Sequence, residues 1–215
     1  MEFVNQIISL FHKGGPVMYL LVACSLFVVT IAVERFLYYR TISAGTAAFR
    51  PKLQSLLEKQ RFSEAAQLCE QTSHALSIVA QAGLAAFQRG SDVENALESA
   101  ATLTAARLRE HLDELSMVVT LAPLLGLLGT VIGMINSFSV FNVQSGQPMA
   151  ITGGVGEALV ATATGLSVAT LALVIHAICS RHANRVVTDI EQTAALIVSY
   201  VLIKKTGRRD SHEIA

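Results

Sequence analysis

The chain has 215 residues, of which 52% are hydrophobic and only 15% charged, with 16 Lys and Arg against 16 Asp and Glu; an average soluble domain carries roughly 25% charged residues. So few charges exclude a disordered chain and argue against an ordinary soluble enzyme, and the zero net charge argues against nucleic-acid binding, which needs a basic excess. The mean hydropathy of +0.51 points instead to a membrane.

In chain order, Phe3, Val4, Ile7, Ile8, Leu10 and Phe11 have the apolar spacing of a short interfacial helix, stopped by Gly14-Gly15-Pro16. The stretch from Gly14 to Val33 then runs without a charge, long enough to cross a bilayer as a helix, which takes about 20 apolar residues. Leu21-Val22-Ala23-Cys24 is similar to a lipoprotein cleavage box, but the apolar run continues past it to Val33, so the segment reads as a retained helix. The following segment is rich in Ala, Leu, Glu and Gln and reads as helical. Pro51 is expected to open a helix near Lys52–Gln60, Ser63 to cap a second, and a third to cover about Leu76–Arg89 before Gly90 breaks the chain. Ser91 with Glu94 has the spacing of a capping box. With no further breaker before Pro123, one helix is expected from about Asp92 to about Phe141, roughly 75 Å at 1.5 Å per residue. Its part from Leu115 onward is a second span, and Val155–Ile178, interrupted only by Glu157 and His176, is a third. The third helix continues through SRHANRVVTDIEQTAALIVSYVLIKK without Gly or Pro. Ile190, Leu196, Ile197 and Val201 are expected to pack there against Leu97, Leu103, Leu108 and Leu112.

The fold class is therefore an all-α membrane protein, with three transmembrane helices and two long helices that extend into the cytoplasm. Lys and Arg set the orientation: Arg35, Arg40, Arg50 and Lys52 follow the first span, Arg181, Arg185, Lys204, Lys205, Arg208 and Arg209 follow the third, and the loop from Asn142 carries no charge. The N-terminus is expected outside and the C-terminus in the cytoplasm.

Glu157 is the acidic residue inside a span, a costly placement that marks a functional site by default. Ala161, Thr164, Val168, Ala172 and Ile175 share its face at 100° per residue. Two readings stand: a carboxylate in a pore wall, where desolvation readies it for proton exchange, or one that snorkels to the outer interface. On the second span Gly126, Thr130, Gly133 and Ser137 fall on one face, and Gly129 with Gly133 forms a GxxxG. These glycines, with Gly165 on the third span, suit close helix packing. The Thr130 hydroxyl either bonds its own backbone or faces a wet cavity. Asn136 is placed to hydrogen-bond between helices, worth about 0.6–2 kcal/mol, and His176 is an interfacial residue or a proton relay. Cys24, Cys69 and Cys179 lie far apart and read as reduced structural thiols. The six His have no metal-binding spacing, and neither a Walker motif nor GxSxG occurs, so no enzyme, cofactor or metal is expected. One carboxylate per chain suits an oligomer that collects several copies, or a partner that brings a second acid.

These residues resemble the MotA/TolQ/ExbB proton-channel family, nearest its ExbB/TolQ branch. The resemblance is carried by Gly15-Pro16-Val17-Met18, Glu34-Arg35, the run Ala122-Pro123-Leu124-Leu125-Gly126-Leu127-Leu128-Gly129-Thr130-Val131-Ile132-Gly133-Met134, and the run Gly156-Glu157-Ala158-Leu159-Val160-Ala161-Thr162-Ala163-Thr164-Gly165-Leu166. It implies a homopentamer in the bacterial inner membrane, enclosing the helices of a dimeric single-span ExbD- or TolR-like partner and passing proton-driven work to a TonB- or TolA-like protein. It also implies that Glu157, Thr162 and Thr130 are the polar pore residues. Helical register, however, puts Thr162 about 140° from Glu157, toward a neighbouring subunit. Many relatives carry Tyr-Asn where this chain has His176-Ala177, which implies a different inner exit. The short cytoplasmic segment disfavours the MotA branch.

The resulting expectation is an interfacial helix at 1–13 on the periplasmic side, spans at 14–35, 115–141 and 155–179, a cytoplasmic helical segment at 36–114, a periplasmic loop at 142–154 and a cytoplasmic helical tail at 180–215. A subunit energising TonB-dependent outer-membrane transport is the role the resemblance implies. A TolQ-like role in envelope integrity and a passive scaffold for partner helices are the alternatives. A self-sufficient transporter would carry internal repeats, which three unequal spans do not.

Overall fold

The computed structural model describes residues 15–43, 45–143 and 148–213, with side chains described at all of these except 47, 140–143, 148–152, 157 and 205–213. The interfacial helix expected at the N-terminus lies outside the described residues, as does the middle of the expected 142–154 loop. The helices are α1 (Val17–Ile42), α2 (Thr46–Glu58), α3 (Phe62–Glu70), α4 (Ala75–Arg89), α5 (Val93–Arg109), α6 (Leu112–Val143) and α7 (Pro148–Glu213). Among the described residues there is no strand. Three helical stretches, Val17–Ile42, Val93–Ser139 and Gly153–Lys204, are long and apolar enough to cross a membrane. At 1.5 Å per residue, the 66 residues of α7 span about 99 Å, some three times a hydrocarbon core.

The chain forms two compact units. The first joins the residues up to Glu34 with His111–Ile178. Its buried side chains form one stripe on each helix: Val17, Met18, Leu21, Val28 and Ile31 on α1; Leu112, Leu115, Val118, Ala122 and Ser137 on α6; Ala158, Ala161, Val168, Ala169 and Ala172 on α7. The spacing of three and four residues keeps each stripe on one helical face. Leu26, Phe27, Leu124, Leu127, Leu159 and Leu166 are exposed. Large apolar side chains outside and a buried stripe on α7 made mostly of alanine suit lipid, where helices associate by close packing and not by hiding apolar surface from water.

The second unit joins Arg35–Glu110 with the residues from Cys179 onward. Gly45 takes a left-handed conformation at φ 83° and α2 begins directly after it, so Pro51 lies inside the helix instead of opening it. Phe49, Leu53 and Leu57, spaced four apart, are all buried, and this face carries the helix through the proline, which forfeits the hydrogen bond of its missing N–H. Two expected caps also move. Arg61, not Ser63, precedes α3, and Asp92, not Ser91, caps α5 by accepting from the amides of Glu94 and Asn95 at 3.1 and 3.3 Å. A carboxylate there also meets the positive end of the helix dipole. Gly90 ends α4 with φ 72°, as its position predicts. Gly83 is required by packing, since a Cβ on it would sit 2.5 Å from the Leu97 side chain.

The single helix expected from Asp92 to Phe141 is two helices. α5 stops at Arg109, and His111 is left-handed with φ 62°. The carbonyls that the next helical turn would have bonded are taken by side chains of α1. Arg35 Nη1 donates to the Arg107 carbonyl at 3.0 Å, and the Tyr39 hydroxyl donates to the Leu108 carbonyl at 2.7 Å. Arg35 Nη2 also lies 3.5 Å from the Glu110 carboxylate, and its guanidinium sits 4.9 Å from the centre of the Tyr38 ring.

Ile190, Ile197 and Val201 are buried, as are Leu97, Leu108 and Leu112, whereas Leu196 is half-buried and Leu103 is 57% exposed. Leu97, Thr104 and Leu108 share the inward face of α5, and Leu103 stands 100° from Thr104, turned away from it. The tail of α7 is held further by Arg109 donating to Asn184 at 3.3 Å, by Arg50 to Gln192 at 2.5 Å, and by the Lys204 ammonium 4.3 Å from the centre of the Phe62 ring.

Candidate functional site

The first unit brings α6 and α7 together along their glycines. A Cβ built on Gly126 would stand 3.1 Å from the Thr162 Cα, one on Gly129 2.5 Å from the Ala161 Cβ, and one on Gly133 3.1 Å from the Ala158 Cβ. From the other side, a Cβ on Gly165 would stand 2.5 Å from the Ala122 carbonyl oxygen and 3.0 Å from the Gly126 Cα. Only hydrogen at these four positions lets the two backbones approach so closely. Gly165→Val should therefore be costly, because backbone cannot swing aside. Overpacking of this kind costs about 1–3 kcal/mol, so the melting temperature of the detergent-solubilised protein should fall by several degrees. A melting temperature equal to wild type would contradict the contact.

The close approach also fixes a hydrogen bond across the helices: Thr162 Oγ1 donates to the Gly126 carbonyl at 3.1 Å. Thr162 is thus turned toward α6 of its own chain. Thr130 is half-buried, and its hydroxyl donates to the Leu127 carbonyl at 2.6 Å. That geometry satisfies the hydroxyl proton within the helix and leaves its oxygen able to accept. Ser137, buried on the same face, donates to the Gly133 carbonyl at 2.7 Å.

Glu157 occupies the position one residue before Ala158 and four before Ala161 on α7. Those two alanines are the ones seated on Gly133 and Gly129. Its side chain lies outside the described residues. Thr164, on the face that register assigns to Glu157, is half-buried and bonds its own Val160 carbonyl at 2.8 Å. Asn136, expected to bridge helices, is exposed beside a cavity of about 20 Å³ lined also by Gly15, Val17, Gly129 and Gly133, room for about one water. His176 is half-buried. Among the described residues, no three His, Cys, Asp or Glu side chains are grouped to hold a metal ion. Cys24, Cys69 and Cys179 are free thiols, and burial, aided by the Glu70 charge, pushes the Cys69 thiol up to about 12, which keeps it inert.

Sequence reasoning did not find Arg35 and Tyr39. The sequence marks Arg35 by its place at the end of the apolar run of α1 and by the Glu34-Arg35 motif, and neither points to the carbonyls of α5.

Residues 64–192 match the MotA/TolQ/ExbB proton channel family. The chain is 30% identical to a biopolymer transport protein ExbB homolog of Methanothermobacter thermautotrophicus over 78% of its own length, and it spans 61% of that relative. It is 33% identical to biopolymer transport protein ExbB-like 1 of Synechocystis, over 79% of this chain and 69% of that one. It is 30% identical to biopolymer transport protein exbB1 of Vibrio cholerae, over 90% and 86%.

Proposed function

Because the chain belongs to the MotA/TolQ/ExbB proton channel family, we propose that it is the ring-forming subunit of an inner-membrane motor, driven by the proton-motive force, that energises TonB-dependent outer-membrane transport. The observation that carries this reading is the place of Glu157: an acid within an apolar span, one residue from the line where α6 and α7 meet through glycine. A scaffold needs no acid there, and an unpaired carboxylate in hydrocarbon must be relieved by water or by a partner. The similarity to the Vibrio protein over nine-tenths of the chain is in keeping with an ExbB-like role, and a TolQ-like role in envelope integrity is the alternative.

In this account the leucines and phenylalanines left exposed on the first unit are covered by lipid and by further copies of the chain, five in the ring. The ring surrounds a dimeric single-span ExbD- or TolR-like partner, whose acid completes the proton path with Glu157, and a TonB- or TolA-like protein carries the work outward. Thr130 supplies a hydroxyl oxygen to that path, and Thr162 holds α7 on α6 and so sets where Glu157 stands. The test is complementation: in a strain lacking its own protein, the chain with its partner should restore uptake through a TonB-dependent receptor. Normal expression without uptake would remove this reading.

The Lys and Arg that follow the first and third spans support an N-terminus in the periplasm and a C-terminus in the cytoplasm. With His12→Cys, an impermeant maleimide should label intact spheroplasts; with Arg89→Cys it should label only after lysis. The opposite pattern would invert the topology.

A further inference from the structure

We propose that His74 is a pH-sensitive latch at the corner between α3 and α4: as the neutral imidazole it caps α4, and as the imidazolium it releases that cap. His74 is 4% exposed and occupies the N-cap of α4. Its Nδ1 accepts the backbone N–H of Ser77 at 3.1 Å, while the Ser77 hydroxyl lies 3.1 Å from the His74 backbone N–H, which donates to it. The same hydroxyl donates toward the carbonyls of Thr72 and His74, both at 2.8 Å. This ties the turn to the first helical turn in both directions. The Phe49 ring of α2 stands edge-on, 4.4 Å from the imidazole centre. Nε2 is buried without a hydrogen-bond partner.

This geometry admits one protonation state. Accepting from Ser77 requires a lone pair on Nδ1, so the ring proton sits on Nε2. A second proton turns Nδ1 into a donor facing a donor. It also places a positive charge at the positive end of the α4 dipole, on a side chain that is buried. The nearby ionisable groups do not offset this. On α2, Arg50 beside Phe49 is engaged with Gln192. At the end of α3, the Cys69 thiol stays neutral and Glu70 is exposed. Burial lowers the His74 pKa below its ordinary 6.5, partly countered by its backbone hydrogen bond. The sign follows: the folded chain binds this proton less readily than the unfolded one. The cap's contribution is therefore complete above about 6.5 and is lost as pH falls through the lower folded value.

The test is hydrogen–deuterium exchange of the full chain in nanodiscs at pH 7.5 and pH 5.0, with rates expressed relative to the intrinsic rate at each pH. For the peptide covering residues 75–80, wild-type protection should fall roughly tenfold on acidification, the loss of about one helix cap, while a peptide within α6 is unchanged. His74→Asn keeps a capping oxygen that does not titrate, and should hold its protection at both pH values. Equal wild-type protection at the two pH values, or an equal loss in His74→Asn, would overturn the latch. The readout is local to α4, so it stands or falls apart from the proton-path reading.

Discussion

Glu157→Gln is expected to abolish energy-dependent uptake while insertion and assembly stay normal. The substitution keeps the size and most of the hydrogen bonding of the side chain and removes the proton. The packing of α6 on α7 rests elsewhere, on the contacts of Gly126, Gly129, Gly133 and Gly165 within the chain, none of which the substitution changes. Glu157→Asp should retain part of the activity, because it keeps the titratable group and shortens its reach. Thr130→Val should impair uptake more mildly. The Thr130 hydroxyl proton is already used on Leu127 within the helix, so the variant loses an acceptor without exposing a buried donor. Growth on a scarce ferric chelate, at matched expression, reads all three. Full growth of Glu157→Gln would take the carboxylate off the path and move a scaffold role ahead.

The second large effect should come from Arg35. It is 2% exposed and meets the Arg107 carbonyl and Glu110. Arg35→Leu removes both contacts and leaves a carbonyl at the end of α5 unsatisfied, a loss of about 1–3 kcal/mol. The Glu110 pairing adds little, since that carboxylate is more than half exposed. Tyr39→Phe should cost about 1 kcal/mol through the Leu108 carbonyl alone. Because the two side chains bond successive carbonyls of one helix end, the double variant should depart from the sum of the singles. Thermal melting in detergent measures all four proteins; an Arg35→Leu midpoint at the wild-type value would mean that the helix end needs no such partner.

The spans and the glycine seam were legible in the sequence because lipid imposes simple demands. About 20 apolar residues cross a bilayer, and helices that cannot gain by hiding apolar surface must use small residues to touch. Gly126, Gly129, Gly133 and Gly165 stand where spacing put them. The break at His111 was not legible. Leu108 to Leu112 holds neither Gly nor Pro, and the residues that end α5 lie about 70 positions earlier, on α1. Ser91 lost the cap of α5 to Asp92 by one position, a choice between two good capping residues that spacing does not decide. Pro51 lies inside α2 and not at its start, because the buried face of Phe49, Leu53 and Leu57 outweighs its local cost, and a local signal carries nothing of that face. Thr162 is the instructive case at the site. Register turned it away from Glu157, toward a neighbouring subunit, whereas its hydroxyl finds the Gly126 carbonyl of its own chain. That bond exists only because Gly126 and Gly165 let the two helices so close.

The most direct test of the proton path is flux. The chain and the proposed single-span partner, reconstituted together in liposomes with an enclosed pH-sensitive dye and driven by a potassium diffusion potential, should acidify the lumen faster than empty liposomes. Glu157→Gln, inserted and assembled to the same extent, should return the rate to that of empty liposomes. Equal flux through wild type and Glu157→Gln would contradict the account.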